Sequence, residues 1–457
     1  MNRRVLAILA LLTSLACNFI SQATGSPTLT PPPSPIIETT TPEITPAYIP
    51  AACQNVPIAT IPAATAMAQP TPILLDNPEV PQSMQKQVLE EIITTVEDVY
   101  VYPDYNGVDW EEIKTRHRAD IDSGLSTQAF YENIQSMIFE LNDEHSSIES
   151  PVEVANSDAQ LAGTEEFVGV GVFVLPMVEK GHLSVIYPYP NSPAEHAGLK
   201  PHDIILTADG IPIVQDGVSR IEIVRGPECS AVVLTVQSPG EEPRDVIMIR
   251  EKIQSPMLIQ SSLVPTTDGS RIGYIFLPTF FDETIPDQVR TALENFGELD
   301  GLILDNRLNG GGSSTVVNPL LSYFTSGTIG NFASRKESFP VEIDPVPVGN
   351  SQTVPLVVLV SEDTVSYGEI FSGVLRDLGR AQIVGEPTLG NVEILHGYEL
   401  SDGSRLWIAE DTFVPVNTTE NWEITGIIPD VVAYEDWDTF TFDSDPSILA
   451  AVKLLGH

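Results

Sequence analysis

Ser366 stands in Thr364-Val365-Ser366-Tyr367-Gly368-Glu369-Ile370-Phe371, directly after the apolar run 354–360. Ile370, Phe371, Val374, Leu375 and Leu378 then recur at helical spacing. The serine therefore falls where a buried strand gives way to a helix. Free N–H groups and the helix dipole favour developing negative charge there. A nucleophilic serine needs that setting together with a base. Taken alone, the segment favours a serine that merely caps the helix, worth about 1 kcal/mol. A second feature leans towards chemistry. Asp305-Asn306-Arg307-Leu308-Asn309-Gly310-Gly311-Gly312 follows another apolar run, and such a loop can offer N–H groups to an oxyanion. The histidines show no HExxH spacing and the cysteines no paired ligands, so neither metal nor cofactor is expected.

Three regions must position these residues. Residues 80–150 read as helical, with Val88, Ile92, Ile93, Val96 and Val99 on one face and Phe130, Ile134, Met137, Ile138 and Leu141 on another. Ser126 is a plausible N-cap for the second run. The two helices are expected to pair and to pack against the domain that follows. Residues 165–253 carry short strand patterns, with 167–173 read as one strand containing two glycines. Residues 265–435 alternate strands and helices around continuous apolar runs, the mark of an α/β core buried on both faces. Residues 436–457 read as a C-terminal tail or helix.

Ser192-Pro193-Ala194-Glu195-His196-Ala197-Gly198-Leu199-Lys200-Pro201-His202-Asp203-Ile204-Ile205, followed by Ile223-Val224-Arg225-Gly226-Pro227-Glu228 and Val232-Val233-Leu234-Thr235-Val236, resembles a PDZ domain of bacterial proteases. Behind it, the serine segment, the glycine loop, Gly379-Arg380-Ala381-Gln382-Ile383-Val384-Gly385-Glu386-Pro387-Thr388 and Gly426-Ile427-Ile428-Pro429-Asp430 resemble the S41-type serine peptidases, which include tail-specific, C-terminal-processing and tricorn proteases. The resemblance covers residues 80–435 and implies an α/β core of the ClpP/crotonase type with a helical N-terminal region and a β-rich PDZ domain. It implies an exported peptidase that cleaves through an acyl-enzyme on Ser366.

One departure matters. The processing branch places a lysine twenty-five residues after its serine; that position is Asn391 here, and no lysine occurs between Ser366 and Lys453. His182, His196 and His202 fall in PDZ turns, His117 in a charged helix, and His457 ends the chain, leaving His145 and His396. Similarity to the tricorn branch implies His145 as base and Glu423 as its support, with His396 as runner-up base. The glutamate can act through a further side chain, so direct contact with His145 is not required. The resemblance also implies an oxyanion hole from Tyr367 and one glycine of Gly310 and Gly311, and a peptide-binding PDZ loop at Gly169, Val170 and Gly171. Asp377 and Arg380 are expected to hold the fold through charge pairing. The rival reading is a surface-tethered binding protein that has lost catalysis, with Asn391 as its support.

Composition narrows the partners. With 63 acidic against 22 basic residues, the net charge of -41 argues against nucleic acid and anionic membrane surfaces. Protein or peptide substrates, met through their C-terminal tails, fit the PDZ resemblance. Residues 1–17 combine Arg3 and Arg4, an apolar stretch and Ser14-Leu15-Ala16-Cys17, the layout of an export signal ending in a lipobox-like Cys17. Residues 18–79 are rich in Pro and Thr and read as a disordered spacer. The expected location is extracytoplasmic, tethered by lipid alone. Cys53 and Cys229 could pair in such a compartment.

Overall fold

The computed structural model describes residues 48–55, 77–143, 145–162, 164, 166–254, 257–434 and 436–457. Cys17 and the leader lie outside the described residues, as does most of the spacer. No helix among the described residues is long and apolar enough to cross a membrane.

Three helices, Gln82–Val99, Trp110–Asp122 and Thr127–Phe139, open the ordered chain. Ser126 Oγ accepts the Ala129 N–H at 3.2 Å, the cap that its position suggests. The middle helix, charged and weakly patterned, is not separable by periodicity; the Asp109 carboxylate caps it. The expected packing partner is wrong. Ile92, Ile134 and Met137 share a core with Leu406, Ile408 and Ala409 of the strand Arg405–Pro415, three hundred residues away, and not with the PDZ-like domain that follows. An apolar helical stripe needs an apolar sheet face, and that strand alternates buried and half-buried residues.

The next region forms a sheet in the order Arg244–Ile249, Ala231–Gln237, Ile204–Ala208, His182–Pro188, Val172–Met177. The single strand expected over 167–173 is two. Glu166–Gly169 pairs with Glu251–Gln254, whereas Val172–Met177 pairs with His182–Pro188. Gly171 makes the break at φ +71°, where any Cβ would lie 2.4 Å from Ser192 Cβ.

The larger α/β region is built on a six-stranded sheet in the order Gln260–Val264, Ile272–Phe276, Gly301–Asp305, Leu356–Val360, Gln382–Gly385, Val431–Val432. Only its first pair is antiparallel. The three central strands are buried throughout. Helices Ile285–Phe296, Ser314–Phe324 and Tyr367–Asp377 contribute to the core on one face. Ile448 and Ala451 of helix Pro446–Leu454 pack with Ile303, Val357, Leu359 and Val384 on the other. The C-terminal segment is thus part of the core, tied in by Arg307, which bridges Asp305 at 2.6 Å and Asp445 at 2.8 Å. Asp377 and Arg380 do not pair as expected. The Asp377 carboxylate accepts the N–H groups of Val416, Asn417 and Thr418, and Arg380 donates to the carbonyls of Phe324 and Ser351.

Two devices bind the PDZ-like sheet to its surroundings. Cys53 and Cys229 form a disulfide. Asp438 accepts hydrogen bonds from Lys180 at 2.7 Å, His182 at 3.0 Å and Ser184 at 2.5 Å, while Trp437 stacks on His202. Burial alone would raise the Asp438 carboxyl, but these donors outweigh it and hold the group well below 3.8. A depressed carboxyl contributes stability above its unfolded value and loses it as pH falls. Asp438→Asn should therefore destabilise the protein by about 1–2 kcal/mol at pH 7. The difference from the parent should shrink as pH drops below about 4, as read by denaturant melts across pH; a constant difference down to pH 2 would show that the charge is not responsible.

Candidate active site

Ser366 caps helix Tyr367–Asp377 with φ 56° and ψ −125°. An ordinary N-cap residue sits in the extended region. A non-glycine residue at positive φ is strained by roughly 1–3 kcal/mol. The strain is held in place by the neighbouring loop. Asn306 Nδ2 donates to the Gly368 carbonyl at 2.8 Å and to Ser372 Oγ at 2.9 Å, and Thr364 Oγ1 donates to the Asn306 carbonyl. The Val365 N–H donates to the Asn309 carbonyl at 3.0 Å.

Gly311 lies against the serine: a Cβ there would come within 2.7 Å of Ser366 Cβ and 3.2 Å of its Oγ. The Gly311 N–H, however, donates to Asn309 Oδ1 at 3.0 Å. Of the two glycines expected to serve an oxyanion, Gly310 is the one whose N–H is not committed to that side chain. The Tyr367 N–H begins the helix and has no intrahelical acceptor.

His145 follows the third helix of the chain. Asp143 Oδ1 accepts the N–H groups of His145 at 3.0 Å and Ser146 at 2.9 Å, fixing the turn. Ser146 Oγ in turn accepts the Ala409 N–H, fastening that turn to the strand Arg405–Pro415. Glu423 lies in the one-turn helix Trp422–Thr425. Its Oε1 is 3.0 Å from His145 Nε2, so the pair is in direct contact. Its Oε2 accepts the Val392 N–H at 2.7 Å.

Two further carboxylates complete the site. Glu393 Oε2 lies 2.5 Å from the same His145 Nε2, and Tyr102 donates its hydroxyl to Glu393 Oε1. Glu369 is fully buried and accepts from the Ser366 N–H at 3.2 Å, the Gly390 N–H at 2.9 Å and the Thr388 hydroxyl. The segment 388–392 thus runs from a carboxylate at the serine to a carboxylate at the histidine. Among the described residues no hydrogen bond joins Ser366 Oγ to His145. His396 is held by Asp411 at 2.9 Å, across the strand pair.

Burial pulls the His145 imidazole down, but Glu393 and Glu423 outweigh it and raise the group to about 10. Burial raises Glu369 to about 7 against the three donors that favour its charge. Burial also holds Glu393 above the carboxylate range, whereas the hydrogen bond with His145 overcomes burial at Glu423 and keeps it below. His145, Glu393 and Glu423 are in addition a group able to hold a metal ion. Motif spacing cannot find it, since its members come from distant parts of the chain. Glu369 is legible, because Ser366-x-x-Glu369 is a capping-box pattern. Glu393 and Tyr102 carry no local signal.

Comparison with known proteins identifies the family. Residues 271–433 match the model of peptidase family S41, residues 184–238 a PDZ domain, and residues 81–139 the tricorn protease C1 domain. A carboxyl-terminal-processing protease of Synechocystis sp. is 33% identical over 343 residues, covering 71% of this chain and 76% of that protein. One from Picosynechococcus sp. is 31% identical, covering 79% and 86%. The solved structure of the photosystem II D1 C-terminal processing protease superposes with TM-score 0.53 at 24% identity, covering 82% of this chain and 97% of that one. A structure from Bacteroides fragilis titled as an S41 protease gives TM-score 0.56 at 15% identity, covering 80% and 97%. The shared fold and the identity across most of both chains lead to one assignment: this protein belongs to peptidase family S41, and is a serine peptidase.

Proposed function

We propose that the chain is an exported processing peptidase that cuts protein substrates near their C-terminal tails, with Ser366 as nucleophile, His145 as base and Glu423 as its support. The observation that carries this reading is the strained backbone of Ser366, set against the glycine loop at a helix N-terminus. Ser366 Oγ attacks the scissile carbonyl and His145 takes its proton, giving a tetrahedral adduct that collapses to an acyl-enzyme; water then releases it. The N–H groups of Tyr367 and Gly310 receive the oxyanion. For the proton to pass, the ring must turn from the carboxylates towards Ser366.

The PDZ-like sheet supplies a docking edge. Val172–Met177 is the last strand of its sheet, and Gly169-Val170-Gly171 leads into it. An extended tail adding to that edge would bring its terminal carboxylate to the backbone of this loop. Export accords with the Cys53–Cys229 disulfide, and Cys17 would carry the lipid anchor.

Three measurements test the proposal. A fluorophosphonate probe should label the parent chain stoichiometrically at Ser366, whereas Ser366→Ala should not label and His145→Ala should label at least about a thousandfold more slowly. Full labelling without His145 would remove it from the mechanism. Ser366→Gly should abolish activity yet raise stability by about 1 kcal/mol, because glycine accepts positive φ. A serine acting only as a cap would lose stability on that change. Gly171→Val should raise KM for a tailed protein substrate about tenfold or more while leaving probe labelling near parental, as expected for a docking loop; equal losses in both readouts would assign it a structural role.

A further inference from the structure

The contacts at His145 present an imbalance of donors. Nε2 can carry one proton, and its aligned hydrogen bond runs to Glu423 Oε1 at 3.0 Å. Glu393 Oε2 lies 2.5 Å from the same nitrogen but has no aligned donor, although Glu393 is only 4% exposed. A buried carboxylate oxygen without an aligned hydrogen bond is costly, and its ion pair with the His145 ring serves only while that ring is protonated, whereas a dication in the same place would serve both carboxylates. The three ligand atoms lie within 4.8 Å of one another.

We infer that His145 Nε2, Glu393 and Glu423 form a zinc-type divalent-cation site whose occupation silences the peptidase. The inhibitory half of this inference rests on His145 being the base. One imidazole and two carboxylates neutralise a dication and favour Zn²⁺ over the oxygen-seeking Mg²⁺ and Ca²⁺. The remote oxygens are already anchored: Tyr102 holds Glu393 Oε1, and the Val392 N–H holds Glu423 Oε2 at 2.7 Å. Such outer contacts aim the inner oxygens and sharpen affinity. Tetrahedral zinc sets its ligand atoms about 3.3 Å apart, so the present contacts need open by less than about 1 Å. Three protein ligands leave a fourth position to water. The ion takes the Nε2 lone pair, places positive charge beside the ring and occupies both carboxylates that would stabilise an imidazolium. No bond of the substrate is made or broken in this step; protons on the ligands are released to solvent as the metal enters.

The test uses the full chain, stripped with a chelator, and Zn²⁺ itself. Titration against a chromophoric zinc indicator should find one site with Kd of about 1 µM or tighter. Ser366→Ala should retain it, while His145→Gln and Glu393→Gln should each weaken it at least about 30-fold. Co²⁺ added to the unmutated chain should give the visible absorption of four-coordinate cobalt, a readout independent of any variant's folding. In the parent, Zn²⁺ should suppress peptidase activity over the same concentration range, reversed by chelator. Weak, multiple binding that is unchanged in His145→Gln, as an acidic surface alone would give, overturns the site. Activity undiminished at saturating Zn²⁺ overturns the silencing. Because binding is measured on Ser366→Ala, a chain that never reacts with the fluorophosphonate defeats the peptidase mechanism, while the metal titration still decides whether the cation site exists.

Discussion

A buried and a half-buried carboxylate grip a single five-residue loop, and through that grip the serine end of the site is connected to the histidine end. Glu369 takes the Thr388 hydroxyl and the Gly390 N–H; Glu423 takes the Val392 N–H. Hydrogen bonds to charged groups contribute about 1.5–3 kcal/mol each, and withdrawal of either acceptor would strand buried N–H groups. The backbone follows the same constraint. A Cβ at Gly390 would lie 2.4 Å from the Glu423 carbonyl, and one at Gly426 would lie 2.1 Å from that of Thr388. Loop and one-turn helix therefore fit only as a pair, and the sidedness of Glu423 towards His145 follows from that fit.

The strain at Ser366 belongs to the same construction. Its positive φ costs free energy that local structure must offset. Asn306, fully buried, supplies part of this by joining the Gly368 carbonyl to Ser372 inside the following helix. Gly368 itself tolerates no side chain, since a Cβ would lie 2.6 Å from the Asn309 carbonyl. The glycine loop thus has two consequences. It lets the chain pass close under the serine, and its backbone acceptors clamp the helix start that makes the serine protrude.

Legibility in the sequence followed distance along the chain. Residues 354–360 and 301–305 read as doubly buried strands because, Asp305 apart, the side chains there are apolar, a local property. Ser366 is visible as a junction residue for the same reason. What periodicity could not supply was partnership at long range. The N-terminal helices lie on the strand Arg405–Pro415, whose alternation announces a half-covered sheet without naming its cover. Glu393 sits in a strand beside Val392 and Ile394 and reads as an ordinary polar position; only folding carries it to His145 and Tyr102. The break at Gly171 is hidden because a glycine within an apolar run is equally consistent with a bulge in one strand.

Asn391 can be understood from the same electrostatics. A lysine base must be neutral to accept a proton, and enzymes achieve this by desolvation or by neighbouring positive charge. Position 391 adjoins Val392, whose N–H binds Glu423, and lies two residues from Glu393. An amine brought to these carboxylates would be held as ammonium, its lone pair unavailable. The His145 imidazole feels the same pull from a lower starting value. Raised to about 10 by Glu393 and Glu423, the ring is held as imidazolium while it faces them, and its lone pair is free only once it turns away, the movement that the proposed mechanism requires. The acidic pair therefore opposes a lysine base beside it and permits a histidine base only in the turned orientation, so the absence of lysine fits the proposed chemistry.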